Sequence, residues 1–169
     1  MPAELGPVRV RRVPGLRAAE LAAAWDRLAA EALEENPFFT AAYMLAGLRH
    51  LNERSVPDLL CVERAPIDGG AALLIGVLPL EMARFRYGVP LPLGVAASHV
   101  FQTSGTPLLH RDHAADAADA LLGALCRDPA VRGRALLPHL RLAGATARLL
   151  GERAGPAGLR SATLCDLRR

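Results

Sequence analysis

At 169 residues the chain is long enough for one domain with one core and small for two. An apolar fraction of 51% and a charged fraction of 22% are those of a folded soluble protein and exclude an intrinsically disordered one. Arginine supplies all 20 basic residues, which excludes both Schiff-base lysine and phosphate-loop lysine chemistry. The net charge of +3, with both signs interspersed, reads as a solvated surface with a slight arginine excess.

Val8–Val13 alternates valine with arginine and reads as a half-buried strand closed by Pro14-Gly15. From Arg17 the period becomes helical, with Leu21, Trp25, Leu28 and Ala32 as one apolar stripe. Asn36-Pro37 stops this helix, because the residue before proline is pushed out of the helical region. Thr40 is placed to cap a second helix whose stripe is Ala41, Met44, Leu48 and Leu51. Pro57–Glu63 reads as a second strand, joined through Asp68-Gly69-Gly70 to a third.

That third strand lies in Ala71–Leu80, a run of ten residues without charge. It is too short to cross a bilayer and fits an interior strand covered on both faces, with Ala72–Leu80 in the middle of the sheet. Pro79 cannot donate to a ladder, so the strand is expected to end, bulge or meet an edge there. Tyr87–Phe101 carries Gly88, Pro90, Pro92 and Gly94 and reads as an interrupted strand or an extended loop. Residues 102–113 are rich in turn formers, and Ala114–Arg127 is a clear amphipathic helix with Asp116 and Asp119 toward its positive end. A short strand at Ala135–Leu137, a helix at Ala143–Arg153 and a closing strand at Leu159–Leu167 complete the chain. The expected fold is α/β (α+β), a mixed, mainly antiparallel sheet with helices on both faces and Trp25, Leu28, Leu78 and Leu121 buried together.

Cys61, Cys126 and Cys165 are isolated in apolar surroundings, which is neither a disulfide framework nor a zinc spacing and suits a reducing compartment. With no apolar signal segment at the N-terminus, the expected compartment is the cytoplasm.

The order strand, two helices, three strands, helix, strand, helix, strand is similar to that of the GNAT acetyltransferase superfamily. Trp25-x-x-Leu28, Asn36-Pro37-Phe38-Phe39-Thr40, Ile75-Gly76-Val77-Leu78-Pro79-Leu80 and Thr106-Pro107-Leu108-Leu109 narrow this. Together they resemble the amino-terminal half of CelD-type acyltransferases of cellulose biosynthesis, two-lobed proteins related in architecture to the Fem enzymes. The resemblance spans roughly residues 8 to 167. It implies a single GNAT-like domain over 1–169 that is the amino-terminal lobe of a longer protein. The implied activity is transfer of an acyl group from acetyl-coenzyme A, or another acyl-coenzyme A, to an amine or sugar. The alternative is a non-catalytic, degenerate GNAT-like interaction module.

The same resemblance implies a phosphate-binding loop of the form Arg/Gln-x-x-Gly-x-Gly/Ala before the third helix, where amides and helix dipole together favour an anion. The nearest stretch is Gln102-Thr103-Ser104-Gly105-Thr106-Pro107, making Gln102, Ser104 and Gly105 the candidate cofactor contacts. Pro107 departs from the pattern and removes a donor, and the helix starts near His113. This lobe is therefore expected to bind coenzyme A weakly or not at all, with the cofactor held by the second lobe. Phe38, Tyr43 and His99 are the candidate acceptor-cleft residues, His99 as a base near a bound amine. Phe38 and Phe39 also fit a hydrophobic staple for the second helix.

His110-x-x-His113 beside Asp112 and Asp116 can be drawn as a metal site. The reading preferred is no metal, with Asp112 capping the helix and both histidines facing water. Arg84-Phe85-Arg86-Tyr87 interleaves cations with aromatics as single-strand nucleic-acid surfaces do, yet one such tetrad reads better as a turn exit. No membrane span and no nucleic-acid partner are expected. The expected partners are a small-molecule acceptor and either the second lobe or another copy, paired on an unfinished edge at Leu159–Leu167.

Overall fold

The computed structural model describes residues 5–50, 56–66, 70–85, 88–98 and 102–164. It is a curled, mostly antiparallel sheet with helices on both faces, as the sequence leads one to expect. The strands are β1 (Leu5–Val13), β2 (Asp58–Pro66), β3 (Leu73–Ala83), β4 (Leu93–Ala96), β5 (Leu108–Leu109) and β6 (Ala135–Leu136). The helices are α1 (Ala22–Ala30), α2 (Ala41–His50), α3 (Ala114–Arg127) and α4 (Ala145–Ala154). Spatial order across the sheet is β1-β2-β3-β4-β6, with β5 also on β3, and only the β4–β6 pair is parallel.

The uncharged run does form the middle strand, shifted slightly toward the C-terminus. β3 begins at Leu73 and runs through Ala83, with Leu74 to Leu80 buried. On one face α3 lies close, because Gly76 meets Ala117: a Cβ added there would sit 3.3 Å from the alanine methyl. Alternation turns Val77 to the opposite face, where α1 packs against β3 with Trp25 and Leu28. Trp25, Leu28, Leu78 and Leu121 are all buried in one continuous core. The indole Nε1 of Trp25 donates to Phe39 O at 2.7 Å, so its one polar atom is satisfied inside that core.

Pro79 does not end the strand. Its carbonyl accepts from Ala97 N at 2.9 Å, so its nitrogen points toward the same side. There β4 has just finished, and β5 takes up the same lane further along, opposite Gly76 and Val77. The donor missing from Pro79 is the one that would reach Ala97 O, and Gln102 Nε2 supplies that carbonyl instead at 3.1 Å. The chain leaves the lane after Ala97, and residues 102–107 lead back to it at β5.

Three boundaries differ from expectation for local reasons. A 3₁₀ turn over Gly15–Leu21 precedes α1, and α1 ends at Ala30, well before Asn36-Pro37. The chain leaves the helix because residues 31–33 pair with 109–111: Leu33 N donates to Leu109 O at 2.7 Å and Arg111 N to Glu31 O at 2.9 Å. The closing strand is not formed over Leu159–Leu164, and the remainder of that expected strand lies outside the described residues. After α4 the chain turns through Gly158 (φ +78°), a left-handed conformation that favours glycine, and Leu159 N donates back to Ala154 O at 2.8 Å. This turn folds Leu159 onto the core beside α3 rather than along β6.

Candidate functional site

The chemistry-bearing residues singled out by the sequence gather around the 97–107 excursion and the start of α3. Within the excursion, Gln102 Nε2 donates to Ala97 O at 3.1 Å and Ser104 O at 2.8 Å, and Ser104 Oγ donates to Thr106 Oγ1 at 3.2 Å. Asn36, arriving from the α1–α2 connection, donates through Nδ2 to Thr106 O at 2.6 Å and accepts through Oδ1 from Phe38 N at 3.1 Å. Asn36, Gln102 and Thr106 are all buried. The carboxamides thus supply the donors that this irregular backbone lacks, which is what permits it to be buried.

Gly105 is sealed against the chain that follows β6. Its N–H donates to His139 O at 3.2 Å, and a Cβ on it would overlap the Pro138 carbonyl. Of the three candidate cofactor contacts, then, Gln102 and Gly105 are buried and Ser104 is half-buried. Their polar groups serve the loop's own closure. The helix that follows is separated from Gly105 by β5, so the segment directly before α3 is His110–His113.

His110 is buried, contrary to the expectation that it faces water. Its Nε2 lies 2.7 Å from a Glu31 carboxylate oxygen, and its Nδ1 accepts from Asp112 N at 3.2 Å. An accepting Nδ1 puts the proton on Nε2, which then donates to Glu31. Both ring nitrogens are engaged. Arg111 crosses beside it and donates to Ala30 O at 3.0 Å, satisfying a carbonyl at the end of α1. His113, not Asp112, occupies the N-cap of α3, and no side chain caps that helix. Its pKa is lowered, first by burial and then by the adjacent His110 and Arg64, with Asp112 and Asp116 opposing. The two imidazoles lie 4.9 Å apart, centroid to centroid. Among the described residues no three histidine, cysteine, aspartate or glutamate side chains converge as a metal site would require.

Thr40 caps α2 as expected, with its hydroxyl accepting from Tyr43 N at 3.4 Å. Phe38 and Tyr43 meet edge to face, centroids 5.2 Å apart, both half-buried, while Phe39 is wholly buried. His99 lies outside the described residues, as do Arg86 and Tyr87 of the cation–aromatic tetrad; Arg84 and Phe85 are exposed. Cys61 is buried, and burial pushes its thiol up to about 12, so it is inert at neutral pH. Cys126 spends its thiol on Ala157 O at 3.2 Å.

One feature escaped the sequence patterns altogether. The N-terminus of α4 is met by the carboxylate of Glu34, which accepts from Thr146 N at 3.1 Å and lies 3.4 Å from Arg141. Gly144 at the N-cap leaves the space for it. The anion-favouring end of α4 is thus already occupied by a residue of the chain itself. No pattern short of the tertiary fold links positions 34 and 146. No helix among the described residues is long and apolar enough to cross a membrane. No family model matches the chain, and neither does any curated protein or solved structure.

Proposed function

We propose that this chain is a GNAT-like lobe of an N-acyltransferase, in which it shapes the acceptor side while a second lobe holds the acyl-coenzyme A. The order of elements from β1 to α4 supports the lobe assignment. The division of labour rests on one observation: the backbone amides of Gly105, Arg111, Asp112 and His113 already donate within the chain. A pyrophosphate cradle needs such amides free and convergent, and here each would have to abandon a partner first. Acyl transfer then needs an acceptor nucleophile, a base for its proton and a polarised thioester carbonyl. On this reading the chain contributes position and exclusion of water around the acceptor, near Phe38 and Tyr43.

The test is titration calorimetry of the chain with acetyl-coenzyme A. No saturable binding is expected up to about 1 mM. A dissociation constant of roughly a few micromolar would overturn the division of labour. A second reading, a non-catalytic interaction module of the same fold, draws support from His110, whose two ring nitrogens are both spent inside the protein. A downstream reading frame encoding Arg/Gln-x-x-Gly-x-Gly/Ala favours the two-lobed enzyme, and turnover of an amine acceptor by the two lobes together, absent from the second lobe alone, decides for it.

A further inference from the structure

β1 is the outermost strand of the sheet: it pairs with β2 on one side and with no strand among the described residues on the other. Its inward face floors a groove of about 640 Å³ beneath α3. Val8, Val10 and Leu60 form the sheet side of this groove, and Ala120, Ala124 and Arg127 the helix side. Three carboxylates also line it, yet each has its own cation: Asp116 with Arg64, Asp128 with Arg12, and Asp119 with Arg153 at 3.2 Å. Arg127 is exposed and makes no ion pair among the described residues. On the opposite face of β1, Arg11 is paired with Glu63 at 2.6 Å, while Arg9 is exposed and likewise unpaired. The free edge is therefore flanked by one uncommitted guanidinium on each face.

We infer that β1 takes up an extended peptide segment of alternating apolar and acidic residues as an added strand. Backbone amides and carbonyls on the outer side of Val8–Val13 supply the ladder. A strand added there projects every second side chain toward α3, where small Ala120 and Ala124 leave room over Val8 and Val10. On the face turned away from α3 the peptide's charged side chains meet Arg9, exposed and unpaired, which makes their sign negative, while the groove face, whose acids each have a cation, receives the apolar ones. A second copy of this chain is the wrong occupant. With both copies showing the same face, antiparallel registers centred on residues 9 to 12 put arginine directly opposite arginine, a destabilising pairing. The arginines that guard the edge against its own copy select an acidic partner. This inference does not depend on the acyl-transfer reading.

The test uses the whole chain and a short synthetic peptide, acetylated and amidated, that alternates valine with glutamate. Two controls accompany it: the same peptide with lysine for glutamate, and one N-methylated at every residue so that neither edge has donors. Saturable binding of the valine–glutamate peptide is expected in the range of roughly 10–100 μM, with neither control binding. Arg9→Glu should weaken it by about fivefold or more, while Arg127→Glu, on the groove face that receives the valines, should change it by less than about twofold. Both side chains are exposed and unpaired, so the variants keep the fold. No saturable binding of the valine–glutamate peptide overturns the inference. So does equal binding of the N-methylated peptide, which would mean side-chain contacts alone, or a β1-mediated dimer that the peptide does not displace.

Discussion

Replacing Asn36 with alanine should cost about 2–4 kcal/mol of folding stability. The side chain makes a hydrogen bond from Nδ2 to Thr106 O at 2.6 Å and accepts one at Oδ1 from Phe38 N at 3.1 Å. Each contributes roughly 1 kcal/mol net. The larger part comes from Thr106, which is buried; its carbonyl loses that donor, at about 1–3 kcal/mol. Trp25, the one tryptophan, is wholly buried and hydrogen-bonded to Phe39 O, two residues beyond the Pro37 that follows Asn36, so its fluorescence reports unfolding. With a urea slope of about 2 kcal/mol/M, the midpoint should fall by roughly 1–2 M. Asn36→Asp sharpens the test: it keeps the acceptor for Phe38 N but turns the donor toward Thr106 O into a second acceptor. It should be worse than alanine at neutral pH and should recover on acidification as the carboxyl becomes a donor again. A loss below about 0.5 kcal/mol for Asn36→Ala would refute the view that this carboxamide holds the 97–107 excursion in place.

Leu78→Ala should cost about 2–5 kcal/mol by urea unfolding, because the side chain is buried in the central strand and its removal leaves a cavity. Cys61 should resist a thiol-specific disulfide reagent in the folded chain and react only on unfolding. Its folded pKa is raised, so the unfolded state loses its proton first and stability should fall by about 1.4 kcal/mol per pH unit as pH rises above roughly 9. A flat urea midpoint across that range would contradict the burial. His113 has the opposite sense: its folded pKa is lowered, so the unfolded state binds the proton first. Its contribution is fully present above the ordinary histidine pKa and declines as pH falls toward the folded value. His113→Gln should flatten the dependence of the urea midpoint in that window, and an unchanged slope would assign the acid sensitivity to other groups.

What the sequence made legible was whatever repeats. The uncharged run into β3, the three-and-four spacing of α3 and the Thr40 cap all come out close to where periodicity and local chemistry put them, since each depends on neighbours within a turn or two. Pro79 does not end the strand because a proline's cost depends on what lies across from its nitrogen, and here Ala97 O takes its hydrogen bond from Gln102 instead. His110 was placed in water because two polar neighbours suggest a surface, whereas Glu31, 79 positions away, satisfies it in the interior. The expected strand at Leu159–Leu167 had the right alternation, but the Gly158 turn directs its first residues elsewhere. For the candidate cofactor loop, Pro107 and the late helix start already mark a departure from an open cradle. Only the partners, His139 O and Asn36, show the loop closed on itself.

His110 and the loop closed by Asn36 share a cause in the six residues that follow α1. Their helical period continues through Ala32, so a longer helix is the natural expectation. Had it formed, the amides of this stretch would have been consumed within the helix. Ending at Ala30 instead frees the segment, backbone and side chains, for four separate tasks. The backbone of 31–33 joins β5, the Glu31 carboxylate takes the His110 ring, Glu34 meets the N-terminus of α4, and Asn36 closes the 97–107 excursion. Helix propensity across such a stretch amounts to a few tenths of a kcal/mol per residue. A single buried hydrogen bond contributes about 1 kcal/mol net, and orphaning its partner costs more. Tertiary pairing therefore outweighs local preference here, and the polar residues of the segment become the joints by which both helical layers are fixed to the sheet.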